Sequence, residues 1–166
     1  MKIRPNILKS GIILIAVFLT VTGGLFLTRE TDSASDLEYF KGVWTVTLRN
    51  NPKISFNWRV KEDLDKSWLG GAVTRDGQKI STDFWRQTGK RIERFAFTSN
   101  STFVRLEASG WNGDKLIFNG TLSDQSGEAK VRETITKVSE TKFNALWERE
   151  ETDGKWVVFG DEICMK

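Results

Sequence analysis

The stretch ISFNWRVK, residues 54–61, alternates apolar and polar side chains along its whole length. Because successive side chains of a β-strand point to opposite faces of the sheet, this pattern predicts a strand with one buried face. The buried face is expected to carry Ile54, Phe56, Trp58 and Val60. The segment just before it alternates in the same way, and an Asn-Asn-Pro turn at residues 50–52 separates the two. The two segments therefore predict an antiparallel pair of strands.

Eight further segments of strand character follow, separated by short clusters of Gly, Asn, Asp or Ser. They are predicted at residues 67–75, 80–87, 91–98, 102–108, 115–121, 129–138, 142–151 and 155–163. A meander of this kind hides its sheet edges most simply by closing on itself. We therefore predict an all-β fold, a single antiparallel up-and-down β-barrel of about 8–10 strands, with a two-sheet sandwich as the alternative.

The N-terminal residues have the pattern of an export or anchoring signal. The segment MKIRPNILKS carries three positive charges and no negative one, and an uncharged apolar run follows at residues 11–27. The run is at the lower limit of the roughly 17–25 residues that cross a bilayer, so cleavage and retention both stay open. We predict a signal peptide or signal anchor at 1–28, a polar tether at 29–36 and the barrel at 37–166. The barrel is then expected outside the cytoplasm, either periplasmic or secreted, or anchored by a single N-terminal helix.

Composition excludes several classes of function. The chain has no histidine and a single cysteine, Cys164, which removes histidine-dependent catalysis, nearly all zinc sites and any intrachain disulfide. Four of the 25 basic and two of the 22 acidic side chains precede Asp36, which leaves 21 and 20 in the barrel region. This balance argues against a partner with a phosphate backbone. We predict no nucleic-acid partner, no cofactor, no metal site and no enzymatic activity.

The motif FKGVW, residues 40–44, marks the entry to the barrel. Gly42 is predicted to let the chain turn sharply under the barrel floor, where a side chain would collide, and Trp44 to plug that end. Residues 37–40 are predicted to form one helical turn before it. A Gly-x-Trp start after a helical turn resembles the calycin superfamily, whose lipocalin members begin in this way.

Three later motifs are similar to those of a bacterial group of lipocalin-like domains of unknown function. They are GDKLIFNG at 113–120, RET at 132–134 and DGKW at 153–156, and the resemblance covers about residues 37–163. It implies a calycin-like barrel that binds a small hydrophobic or amphipathic molecule. Lipocalins usually place an arginine near the last strand, over the first-strand tryptophan. Residues 156–164 contain none, so Arg149, one strand earlier, is the candidate for this position.

Strand parity selects residues that would face a cavity. If Val131 and Ile135 point inward, so does Glu133, and if Phe143 and its alternate neighbours point inward, so does Arg149. A buried charge is costly unless it is paired or binds a polar ligand head. Calycin-type carriers of fatty acids use interior arginines, so the resemblance makes Arg149 a candidate for a ligand carboxylate. The predicted ligand-binding residues are Trp58, Trp85, Trp147, Arg149 and Glu133, and the predicted structural residues of the floor are Gly42 and Trp44.

Other interpretations of these residues stay open. The tryptophans could form an ordinary core, and Glu133 and Arg149 could lie at strand ends. Three arginines and two glutamates of neighbouring segments are predicted to form charge pairs on the outer surface: Arg91, Arg94, Arg105, Glu93 and Glu107. The leading functional prediction is an exported or anchored ligand binder, attached to the membrane through residues 11–27 if the leader is retained. The alternatives are a filled barrel that docks on a membrane protein complex, and a histidine-independent isomerase or cyclase that uses Glu133 as acid or base.

Overall fold

The computed structural model describes residues 36–64 and 67–166. The predicted signal segment at 1–28 lies outside the described residues, as does the tether except for its last residue, Asp36. In the part of the chain that the structure describes, no helix is long and apolar enough to cross a membrane. That part contains one short 3-10 helix, Glu38–Phe40, and ten β-strands. The strands are β1 Gly42–Leu48, β2 Asn51–Asp63, β3 Trp68–Arg75, β4 Gln78–Thr88, β5 Arg91–Thr98, β6 Phe103–Ala108, β7 Lys115–Asp124, β8 Gly127–Ser139, β9 Lys142–Glu150 and β10 Trp156–Met165.

The ten strands form a single closed barrel in which every strand pairs with its sequence neighbours. All pairings are antiparallel, and β1 closes the barrel against β10, with Val46 opposite Cys164. This confirms the predicted all-β up-and-down barrel and rules out the two-sheet sandwich. The prediction at residues 50–52 was partly wrong, because β2 already begins at Asn51 and the turn ends one residue before it.

One end of the barrel, which we call the floor, is closed by the 3-10 helix and the start of β1. Phe40 and Trp44 are fully buried, and the Trp44 indole N–H donates a hydrogen bond of 2.7 Å to the carbonyl oxygen of Phe40. Trp44 therefore fills part of the floor. The reason for Gly42 differs from the predicted one. A Cβ there would lie 3.4 Å from the Lys166 side chain, an ordinary contact, but the backbone φ of +125° strongly favours glycine.

Lys166, after the last strand, covers the floor tryptophan. Its Nζ lies 4.5 Å from the Trp44 ring centroid and donates a 3.0 Å hydrogen bond to the Tyr39 carbonyl oxygen. A cation over an indole face is attracted by the quadrupole of the ring. A lysine thus takes the position for which the sequence offered only Arg149.

The interior next to the floor is filled by aromatic rings. Phe40 lies 4.8 Å from Trp85 and 5.7 Å from Phe143, and Trp44 lies 4.8 Å from Phe143, measured between ring centroids. Edge and tilted contacts of this kind are the preferred geometries of aromatic pairs. Trp85 and Phe143 of this layer also line the cavity of the barrel.

Candidate functional site

The barrel encloses a cavity of about 390 Å³ between the aromatic layer and the opposite end of the barrel. Trp58, Trp85 and Phe143 line it on the floor side. Thr98, Asn100 and Thr102, at the β5–β6 connection, line its other end, which we call the mouth. Most of the wall between them is apolar and includes Phe56, Val73, Val104, Leu122, Ile135 and Ala145. Pockets of roughly 300–1,000 Å³ with apolar walls and a few polar groups are typical of small-molecule sites.

A buried ion-pair cluster lies in the wall of this cavity. The Arg94 guanidinium contacts Glu133, with an Nη1–Oε2 distance of 2.5 Å, and Asp83, with an Nη2–Oδ2 distance of 3.2 Å. Both carboxylates are almost completely buried. The Arg94 Cζ also lies 4.4 Å from the Trp85 ring centroid and 5.5 Å from that of Trp147. The pairing and the ring contacts offset part of the large cost of removing these charges from water.

The position of the Asp83 side chain depends on hydrogen bonds from two indoles and on the lack of a side chain at the neighbouring Gly71. It accepts hydrogen bonds from Trp85 Nε1 at 2.8 Å and from Trp58 Nε1 at 3.2 Å. Gly71 lies between Trp58 and Asp83 in space, and a Cβ on it would be 1.7 Å from Asp83 Oδ1. No real Cβ approaches that closely, so only glycine at position 71 allows this arrangement.

The protonation of the cluster is set by burial and by its own charges. Burial raises the pKa of Glu133, and the nearby Arg94 acts against this rise. Burial alone would lower the pKa of Arg94, but Glu133 and Asp83 more than compensate, so that its pKa lies above the ordinary value. The arginine is therefore a permanent cation in this wall. Burial also raises the pKa of the Cys164 thiol, which keeps it protonated and unreactive.

Glu162 is a third carboxylate on the inner face of the barrel. It lines the cavity beside Gly160 and Cys164, and in the register of β10 it lies opposite Ala145 of β9 and Leu48 of β1. The salt bridges of Arg94 go to Asp83 and Glu133, and Glu162 takes no part in them. Burial, followed by repulsion from Glu133, raises the pKa of Glu162 to about 7, while the charge of Arg94 and, after it, the Trp147 side chain oppose the rise.

The structure brings most of the residues predicted for ligand binding to one place. Trp58, Trp85, Trp147 and Glu133 all line the cavity, while their role in ligand binding stays a prediction. The inward direction predicted for Arg149 agrees with its register opposite the buried Val131, but its predicted position in the cavity is wrong. Its side chain is half exposed and forms a 2.9 Å salt bridge with Glu151 near the end of β9, beyond the last residue of that strand that lines the cavity. Arg149 therefore has no carboxylate-binding position inside the barrel.

Arg94, by contrast, was predicted on the outer surface and lies in the cavity wall. The other residues of that predicted charge network form outer pairs, as in the 2.6 Å contact between Arg91 Nη2 and Glu107 Oε1. Sequence analysis also missed Glu162 and the role of Gly71. Ile92 and Ala96 share the parity of Arg94 and are buried, but Phe95 and Phe97 on the other face made the alternation of this strand ambiguous in the sequence.

Comparison with models of known protein families gives no match for the chain, and comparison with curated proteins gives none either. The closed ten-strand antiparallel barrel is compatible with a calycin-like fold. A fold of this kind hosts many functions, so the fold alone does not indicate the function of this chain.

Proposed function

We propose that this chain is an exported or membrane-anchored lipocalin-like domain, without enzymatic activity, that binds a small hydrophobic or amphipathic molecule inside its barrel. The observation that carries this proposal is the cavity of about 390 Å³, which joins apolar walls to a charged cluster. Protein interiors are otherwise packed as densely as organic crystals, with few voids larger than a water molecule. A cavity of this size in a barrel rich in large aromatic residues therefore needs a physical reason, and binding of a ligand provides one.

The experiment is native mass spectrometry of the full-length chain, isolated from its own host without added lipid. We expect an added mass that is released on denaturation and that identifies the ligand. A bare mass, together with tryptophan emission that does not change on titration with fatty acids, quinones, carotenoids or tetrapyrroles, would contradict the proposal.

A matched pair of substitutions locates the ligand. Ala96→Phe adds a ring to the cavity wall and should abolish the added mass. Ala72→Phe adds the same ring on the outer face of β3, between Arg59 and Thr82 in register, and should leave the added mass in place. Equal loss in both variants would show that the ligand is not held in the cavity.

One feature of the outer surface favours the second candidate, docking on a membrane protein complex. Five aromatic residues point outward from β3, β4, β5 and β6: Trp68, Phe84, Phe95, Phe97 and Phe103. Phe97 is 50% exposed, and its ring centroid lies 5.0 Å from that of Phe103. Clusters of exposed aromatic side chains are typical of protein interaction surfaces.

The two candidates respond differently to substitution of this outer face. Phe97→Thr should leave ligand binding in the cavity unchanged. In the docking hypothesis it should also release the chain from a membrane-protein partner that co-purifies with it at fixed stoichiometry. A complex that survives Phe97→Thr, or that forms equally through other faces, would count against this use of the surface.

A further inference from the structure

The charge balance of the cavity indicates which class of ligand it accepts. Among the cavity-lining residues in the described part of the chain, Arg94 is the one cation, and both of its Nη atoms already contact carboxylates. Glu133 contacts Nη1 and Asp83 contacts Nη2, at 2.5 Å and 3.2 Å. A ligand carboxylate would have to displace one of these partners and leave it buried and uncompensated, which is strongly unfavourable.

Glu162 supplies a second, independent observation. Its carboxylate lines the same cavity but stands outside the salt bridges of Arg94. Together with Asp83, which contacts Arg94, the cluster holds three carboxyl groups, those of Asp83, Glu133 and Glu162, and one guanidinium. The Glu162 side chain is partly shielded from water, and Arg94 acts on it without forming a salt bridge, so a ligand cation in direct contact would add compensation that the protein does not supply.

The surroundings of Glu162 suit a cation. Trp147 and Phe159 line the cavity together with Glu162, and the centroids of their rings lie 6.0 Å apart. Aromatic faces attract cations, most strongly where water is partly excluded. Arg94 Nε is buried and has no hydrogen-bond partner among the described residues, so the wall also offers one donor to an acceptor atom elsewhere on the ligand, separate from its ammonium group.

On the basis of the proposed function, we infer that the ligand is a cationic amphiphile whose ammonium group lies against Glu162 and Trp147. Its apolar body extends along the wall formed by Phe56, Val73 and Val104. This reverses the expectation derived from the fatty-acid carriers, in which an interior arginine receives a carboxylate. Here the arginine is occupied, and the carboxylate beside it is the group that recognises the ligand.

The test compares three probes of similar length on the full-length chain: octyltrimethylammonium, nonan-1-ol and nonanoate. Binding is followed by isothermal titration calorimetry and by tryptophan emission at pH 8. We expect the ammonium probe to bind at least about 10-fold more tightly than the alcohol, and nonanoate to bind most weakly. Glu162→Gln should remove this advantage of the ammonium probe while leaving the affinity for the alcohol unchanged. Glu128→Gln, an exposed carboxylate on β8, serves as the control and should change neither affinity.

The pH dependence gives a second measurement on the unmodified chain. The ammonium probe carries the same charge at every pH, whereas Glu162 ionises at about pH 7 because of its burial. The charged groups that act on Glu162 are Glu133, Arg94 and the adjacent Asp161, which pairs with Arg49 and is not part of the cavity lining. The Cys164 thiol shares the cavity face of β10, and the register neighbours of Glu162 on β1 and β9 are uncharged. Affinity for the ammonium probe should therefore rise by up to about 100-fold from pH 5 to pH 8, and affinity for the alcohol should stay level.

The outcomes distinguish failure of the inferred cationic ligand from failure of the proposed ligand-binding function. If nonanoate or nonan-1-ol binds as tightly as the ammonium probe, and Glu162→Gln changes nothing, the inference of a cationic ligand fails while the proposed function stands. If none of the three probes binds saturably and the native mass is bare, both fail together.

Discussion

Replacing Glu162 with glutamine should make the protein more stable at neutral pH and leave its stability unchanged in acid. Burial raises the pKa of Glu162 from 4.5 to about 7. The folded state therefore holds this proton more tightly than the unfolded chain, and stability falls as the pH rises from about 4.5 to about 7. Since each pH unit between the two pKa values corresponds to about 1.4 kcal/mol, the ionised carboxylate costs the folded state about 3.5 kcal/mol at most. Glutamine keeps the shape of the side chain and does not ionise.

The measurement is the free energy of unfolding in urea at pH 4 and at pH 8, without ligand. The difference between Glu162→Gln and the parent should be near zero at pH 4 and should reach about 2–3 kcal/mol in favour of the variant at pH 8. Taking the difference at each pH cancels the contribution of the titrating groups that do not interact with Glu162. Glu128→Gln, on the exposed surface, should show no such divergence. A difference that is the same at both pH values would refute the reasoning, because it would mean that Glu162 ionises alike in the folded and unfolded states.

Three other substitutions test the parts of the structure that hold the cavity. Arg94→Met should lower the free energy of unfolding by about 3–5 kcal/mol, because it leaves buried carboxylates without their cation. The double variant with Glu133→Gln should lose less. Urea unfolding of both variants measures these losses, and a larger loss in the double variant would contradict the prediction. Gly71→Ala should lower the free energy of unfolding by about 1–3 kcal/mol or more and shift tryptophan emission, because the new methyl group cannot fit beside the Asp83 carboxylate. An unchanged spectrum and an unchanged stability would show that the wall adapts to the methyl group. Lys166→Met should lower the free energy of unfolding by about 0.5–1 kcal/mol, because it removes the cation over Trp44. Lys166→Arg keeps a cation there and should retain most of this stability. Equal stability of the two variants would argue against a cation–π contribution.

The fold was predictable because most strands carry an unambiguous alternation. In β2 the inward side chains of Trp58 and Val60 are buried, while the alternating residues Asn57 and Arg59 are exposed. The turns between strands are short and rich in glycine, asparagine and aspartate, so their positions followed from the sequence as well. Together these signals determined the number and order of the strands.

The charged part of the cavity could not be predicted in the same way. In β5 the outward positions hold Phe95 and Phe97, whereas the inward positions include Arg94. Hydrophobicity alone assigns the two faces of this strand the wrong way round, because the apolar outer surface conceals the true parity. The cost of burying Arg94 is offset by Asp83 and Glu133, which come from two other strands. Such compensation depends on contacts across the barrel and leaves no local pattern.

The position of Glu162 depends on a single extra residue in β10. Val157 lies opposite Arg149, but Gly160 lies opposite Trp147, so one more residue is present on β10 than on β9 between these pairs. A bulge of this kind exchanges the two faces of the strand beyond it. Strict alternation from Val157 would direct the odd-numbered residues that follow it inward and would leave Glu162 in solvent. The bulge instead places Gly160, Glu162 and Cys164 on the cavity side. The charge that we propose to select the ligand is therefore inside the barrel because of a local irregularity in the last strand.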